Sequence, residues 1–291
     1  MLLIRNANLA DGRGMNDLLI GDDGKYAEIR PGINSEGIEG LEVIDANGML
    51  AAPTFVNTHM HFDKAYTALA GRESTVETLE DSIHIMHDIK RRYTVEDVKA
   101  RAERAIRECV MYGTTKLRTN VDIDNMANLV GLEGVLAAKE ACKDICDLQV
   151  IAFPQEGIYA NEGTEKLMWQ AMEMGCDVVG GMPAAEWLDE HARSHVDLVF
   201  EIAEKYNVPI DMHIDQSKDM FDRSLEYTAW LTMQKGWGPR VTGGHCTSIT
   251  YQNQSHAIKV MKLIKESGMN ICTNLRAQAI PVDAIMVTAA N

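Results

Sequence analysis

His59, His61 and Asp63 occupy every second position of the run NTHMHFDKAY, residues 57–66. On a strand such positions share a face, so two imidazoles and a carboxylate start out pointing the same way. Two imidazoles at that spacing can bind one borderline-soft cation such as Zn²⁺ or Fe²⁺. A lone His-x-His is also the spacing of a solvated surface pair and does not choose between the two. Two further histidines enlarge the set, because His213 closes the apolar run PIDMHI and His245 closes RVTGGH. Taken singly, His213 reads equally well as a buried histidine capping a strand, and His245 as a hydrogen-bonded core histidine. Four of the chain's nine histidines at strand ends together favour a metal site.

The remaining candidates carry less. His84 and His87 lie three apart on the expected helix VETLEDSIHIMHDIKRRY, where a solvated face is the simpler reading; His191, His195 and His256 have no partner at metal spacing. The six cysteines, Cys109, Cys142, Cys146, Cys176, Cys246 and Cys272, are scattered without a paired framework. In a chain of this size that pattern argues for reduced thiols. Cys142 and Cys146 share an expected helix face, but thiolate zinc sites more often use tighter knuckles in loops.

These residues need elements to position them. Residues 1–50 alternate and carry turn signals through LLIRNANL, DLLIGDDGKYAEIRPG and LEVIDANGML, which predicts a small β-sandwich domain or the N-terminal part of one. From residue 51 short apolar runs alternate with amphipathic stretches. Expected strands are 51–57, 114–121, 148–153, 177–182, 209–214, 240–245 and 270–275. Between them TVEDVKARAERAIRECVMYG has Thr94 and Asp97 as a capping-box-like start and Gly113 as a stop. Strand and helix in turn over more than 200 residues imply parallel strands, hence an α/β fold: a (β/α) barrel or a doubly wound sheet over 51–291. His59, His61, Gln155, His213 and His245 all fall at or just past the C-terminal ends of different strands, where (β/α) barrels keep their chemistry, and this favours the TIM-type barrel.

Composition narrows the partners. At 291 residues and 46% hydrophobic content the chain can bury a large core, and a net charge of −15 repels polyphosphate. Nucleic acid and anionic membranes are therefore not expected, and a small neutral or cationic ligand fits better. No stretch reaches the roughly 18 apolar residues of a membrane span, and the first residues lack a long apolar leader. A cytoplasmic location is the expectation.

The run NTHMHFDK resembles the His-x-His-x-Asp opening of the amidohydrolase superfamily. IAFPQEGI (151–158), CDVVGGMP (176–183), MHID (212–215) and RVTGGHCTSI (240–249) resemble its cytosine deaminase-like branch, which includes relatives acting on aminotriazines. The resemblance implies one divalent ion, Zn²⁺ or Fe²⁺, held by His59, His61 and His213. It implies that Gln155 hydrogen-bonds the heterocycle and that His245 orients the attacking water and the developing oxyanion. The reaction implied is hydrolytic deamination of an aminopyrimidine or aminotriazine; a related one removes an alkylamine or opens a cyclic amide.

Two departures accompany the resemblance. The family pattern after the fifth-strand histidine is His-x-Asp-Glu, and the glutamate moves protons; here the run is His213, Ile214, Asp215, Gln216. Gln216 can hold a ring through donor and acceptor contacts but cannot titrate. Second, the family's eighth strand ends in a metal-binding aspartate, whereas RAQAIPVDAIMVTAAN reads as a helix with Asp283 as its cap. The barrel is thus expected to lack its eighth strand and to be C-terminally incomplete, through truncation, internal deletion or a partner chain that fills the gap. Open strand edges make a homo-oligomer the expectation. The alternative functional reading is a catalytically impaired family fragment with a ligand-binding or oligomer-dependent role.

Overall fold

The computed structural model describes residues 1–67 and 79–273, with the side chains of all of these except 79–84. The expected helix over VDAIMVTAAN, with Asp283, lies outside the described residues. The chain forms two compact units, Met1–Phe55 and a second one beginning at Val56. In the first, β1 (Leu2–Leu9), β2 (Gly14–Ile20), β3 (Tyr26–Arg30), β4 (Glu42–Asp45) and β5 (Leu50–Ala51) make one sheet in the order β3-β2-β1-β4, with β5 also on β1. β1, β2 and β3 are antiparallel; β4 and β5 run parallel to β1. The turn at Asp23-Gly24 uses a left-handed glycine, φ +76°, which a side chain would resist. Alternation puts Ala7, Leu9 and Leu18 in one small apolar cluster and Leu3, Leu19 and Ile33 in another. A second layer of the expected sandwich is not among the described residues.

The second unit is a (β/α) barrel. Its strands are β6 (Phe55–Met60), β7 (Thr114–Asp122), β8 (Asp147–Phe153), β9 (Val178–Val179), β10 (Ile210–Ile214), β11 (Val241–His245) and β12 (Asn270–Cys272), paired in that order. The ladders from β7 to β12 are parallel. The sheet is curled almost closed, with Thr58 Oγ1 of β6 3.4 Å from Cys272 Sγ of β12. Seven strands are present among the described residues, as the sequence leads one to expect, although β9 is only two residues long.

Among the described residues seven α-helices cover the barrel: α1 (Leu79–Lys90), α2 (Val95–Met111), α3 (Val130–Ala141), α4 (Thr164–Glu173), α5 (Asp189–Tyr206), α6 (Ser224–Lys235) and α7 (Gln254–Ser267). The start of α2 is the expected one, since Thr94 Oγ1 accepts from the Asp97 amide at 3.2 Å. The inner strands β7 to β11 are largely buried on both faces, which is why they read as near-continuous apolar runs. Along β8, Leu148, Val150 and Ala152 face the helices and join Val98, Ile106, Val135 and Phe200 in the main core. The alternate residues Ile151 and Phe153 pack with Val178 in a separate cluster. That period of two leaves each strand's C-terminal residues free to carry side chains to one end of the barrel.

Candidate metal centre

Four histidines from three strands meet at the C-terminal end of the barrel. His59 lies within β6, His61 just past it, His213 next to last in β10 and His245 last in β11. His213 is the hub. Its ring centroid is 4.6 Å from that of His59, 5.2 Å from His61 and 4.8 Å from His245, and His59 is 4.9 Å from His245. Phe153, fully buried at the end of β8, stacks on His213 at 4.2 Å and fixes its plane.

Backbone strain is concentrated here. Asp215, His245 and Cys246 have φ of +48°, +68° and +52°, a region that costs a residue with a Cβ about 1–3 kcal/mol unless its surroundings enforce it. The enforcement is visible for Asp215: its Oδ1 accepts from the Leu225 amide at the start of α6, and its carbonyl accepts from Ser248. The paired glycines after β9 have a different cause. A Cβ on Gly181 would meet Met212 at 2.8 Å and His195 Nε2 at 3.0 Å, so β9 lies against β10 closely enough for the His213 amide to donate to the Gly181 carbonyl.

The four rings are neutral. Burial pushes His59 down to about 3 and His245 down to about 4. Burial, reinforced by Lys64 and the neighbouring imidazoles, puts His61 and His213 well below the usual histidine range. Nε2 of His61 and Nε2 of His213 face each other at 3.3 Å, while Nδ1 of each is buried without a hydrogen-bond partner among the described residues. One nitrogen on each of His59, His61 and His213 lies within 4.8 Å of the others. Two nitrogens each about 2.0–2.1 Å from a tetrahedral Zn²⁺ stand roughly 3.3 Å apart, so the spacing of this pair suits a shared cation. Neutral imidazoles whose ring nitrogens converge are the donor set that such an ion requires, and this set fits it.

Comparison with known proteins shows the family. A model of the amidohydrolase family matches residues 70–284. The chain belongs to the amidohydrolase family. It is 33% identical over 279 residues to N-isopropylammelide isopropyl amidohydrolase of Pseudomonas sp. (strain ADP), covering 94% of this chain and 67% of that protein. The structure of 5-methylcytosine deaminase from Klebsiella pneumoniae superposes with a TM-score of 0.83 at 33% identity, covering 92% of this chain and 64% of the other. That of N-isopropylammelide isopropylaminohydrolase from Burkholderia multivorans gives 0.80 at 28% identity, covering 99% and 72%. The chain thus spans about two thirds of the length of these relatives, and its similarities lie in the cytosine deaminase-like branch.

The other residues singled out in the sequence of this amidohydrolase share the same end of the barrel. Gln155 lies two residues past β8 and Gln216 two past β10, each half-buried. The aspartate that the resemblance places on an eighth strand has no counterpart among the described residues.

Sequence reasoning missed the charged cluster beside the histidines. Lys90, at the end of α1 and only 2% exposed, places its Nζ 2.5 Å from Asp122, 2.8 Å from Asp124 and 3.0 Å from Glu156. Lys64 reaches Asp122 at 2.5 Å, and His87 approaches Glu156 at 3.2 Å. His87 therefore does not lie on a solvated helix face as expected, because α1 turns it and Lys90 inward. Although burial alone would raise Asp122, Lys64 and Lys90 hold it far below the usual carboxylate range. Asp63 is pushed up to about 6 by burial and by Asp122, and accepts from the Asp122 amide at 3.2 Å. The signal that could have found the cluster is the recurrence of charge just past strand ends, in HFDK, VDID and PQEG.

Proposed function

We propose that this chain carries the metal-holding barrel of a hydrolase that deaminates an aminopyrimidine or aminotriazine by metal-activated water. The observation that carries the reading is the convergence of neutral imidazoles at half-buried His59 and His61 and buried His213, with two facing nitrogens 3.3 Å apart. These three would hold one divalent ion, Zn²⁺ or Fe²⁺, which when bound supplies a Lewis acid that makes water acidic enough to attack near neutral pH. His245 orients that water and hydrogen-bonds the oxygen as charge develops on it. Gln155 holds the ring edge so that the carbon bearing the amino group faces the water, and Gln216 adds a donor and an acceptor. Water adds to that carbon, the carbon–nitrogen bond breaks, and ammonia leaves with the proton taken from water. Gln216 cannot carry that proton, so the transfer falls to another group, and His245 is the titratable side chain of this set.

Gln216 also favours a second reading, a catalytically impaired relative that keeps ligand binding. One experiment addresses both. Chelator-washed protein is given Zn²⁺ or Fe²⁺, its metal is counted by elemental analysis beside His61→Ala, and ammonia and alkylamine release are followed from cytosine, 5-methylcytosine and N-isopropylammelide. The expected result is about one ion per chain, lost in the variant, with ammonia or amine released. Retained metal without turnover by the wild type, and turnover in Gln216→Glu, would favour the impaired reading. No retained metal overturns both the site and the reaction.

A further inference from the structure

A second buried constellation lies on the other side of the Gln155 loop, and the metal chemistry does not use it. Glu186 follows the short 3-10 turn Pro183–Ala185, and His195 lies in α5; both side chains are fully buried, while Trp187 next to Glu186 is 80% exposed. Glu186 Oε1 accepts from His195 Nδ1 at 2.6 Å and from the Ile158 amide at 2.6 Å. Oε2 accepts from the Ala160 amide at 2.8 Å, and the Tyr159 amide sits 3.2 Å from both oxygens. Four donors therefore converge on one buried carboxylate, and no lysine or arginine pairs with it among the described residues.

The histidine's tautomer follows from its partners. The Met182 amide donates to His195 Nε2 at 3.0 Å, so Nε2 is the acceptor and Nδ1 carries the hydrogen toward Glu186. Although burial opposes the charge, these donors hold Glu186 below the usual carboxylate range; burial holds His195 neutral. The connection is continuous: amides 158–160, Glu186, His195, the Met182 amide, and then Gly181, whose carbonyl accepts from the amide of His213. At the other end Gly157, φ +82°, passes so close that a Cβ there would stand 3.2 Å from the Glu186 carboxyl. The turn that bears Gln155 is thereby tied to the strand end that bears His213.

We propose that Glu186 and His195 are positioning residues for substrate recognition, a clamp that sets the Gln155 turn against the β9–β10 end of the barrel. The proposal rests on Gln155 being the ring-binding residue. Glu186→Gln replaces one acceptor oxygen by an amide that points hydrogens at donors. His195→Asn removes the Met182 link and leaves the three loop amides their carboxylate.

The test uses the metal-loaded protein and both variants, with metal content, amide hydrogen exchange and steady-state kinetics on whichever of the three panel compounds is turned over. In Glu186→Gln the expected result is wild-type metal content and faster exchange confined to residues 154–160. KM should rise about tenfold while kcat falls much less, the pattern of lost substrate positioning. His195→Asn is expected to give the same pattern, weaker, with faster exchange at Met182. A KM unchanged in both variants overturns the proposal, as does equal loss of protection throughout the barrel in both. If the wild type turns over none of the compounds, the functional reading fails separately, and local exchange decides the clamp: faster supports it, unchanged overturns it.

Discussion

Two neighbouring groups of buried polar residues at the same end of the barrel are built on opposite principles. In the cluster of Lys64, Lys90, Asp122, Asp124 and Glu156 every charge has an opposite charge within about 3 Å, and the protein supplies both. Among the histidines the rings are neutral, burial keeps them so, and Nε2 of His61 and Nε2 of His213 face each other with no countercharge between them. The first group is complete within the chain. The second is a set of neutral donors that could hold a cation. A cluster of potential ligands is therefore not in itself a metal site: Asp122, Asp124 and Glu156 are close enough together to hold an ion, but the ammonium of Lys90 already fills that role.

The contrast can be broken most sharply at Lys90. Lys90→Met leaves buried carboxylates without their cation and is expected to destabilise the metal-free protein by about 3–5 kcal/mol, read from urea unfolding. A loss under about 1 kcal/mol would mean that the cluster is not held by its own lysine. The histidines should instead reveal themselves through pH. Unfolded imidazoles take up protons below about 6.5, whereas folded His59 and His245 stay neutral down to about 3 and about 4. The unfolded state therefore binds more protons in that window, and these histidines' contribution to stability is present above about 6.5 and lost as pH falls. Metal-free His59→Asn/His245→Asn should show a shallower fall in unfolding free energy between about pH 6.5 and 4, by up to about one proton per histidine. An unchanged slope would mean that the rings protonate freely in the folded state. The smallest effect marks the surface limit: Lys116 and Asp147 are 59% and 77% exposed at 2.6 Å, and Lys116→Ala should leave the unfolding midpoint where it was.

Several elements were legible because their cause is local. The apolar run LQVIAF, the cap at Thr94 and the His-x-His spacing each depend on residues within a few positions of one another. Strand-end histidines are likewise readable, since a parallel strand places its last residues at one end of the barrel wherever it sits. Lys90 was not legible. It stands in IKRRY among cations of equal local character, and only the docking of α1 turns it inward while Arg91 stays 56% exposed. Glu186 and His195 were hidden for the same reason, since their partners are amides 26 to 28 residues upstream and a β9 strand end.

By itself the sequence determined that several histidines reach the C-terminal end of the barrel and that imidazoles can ligate a cation, because periodicity and side-chain chemistry are short-range properties. Only the tertiary structure decided which buried charges are already paired and which imidazole nitrogens face one another. Pairing depends on distances between residues 30 to 150 positions apart, and burial then sets the protonation state that makes each pair attract or repel.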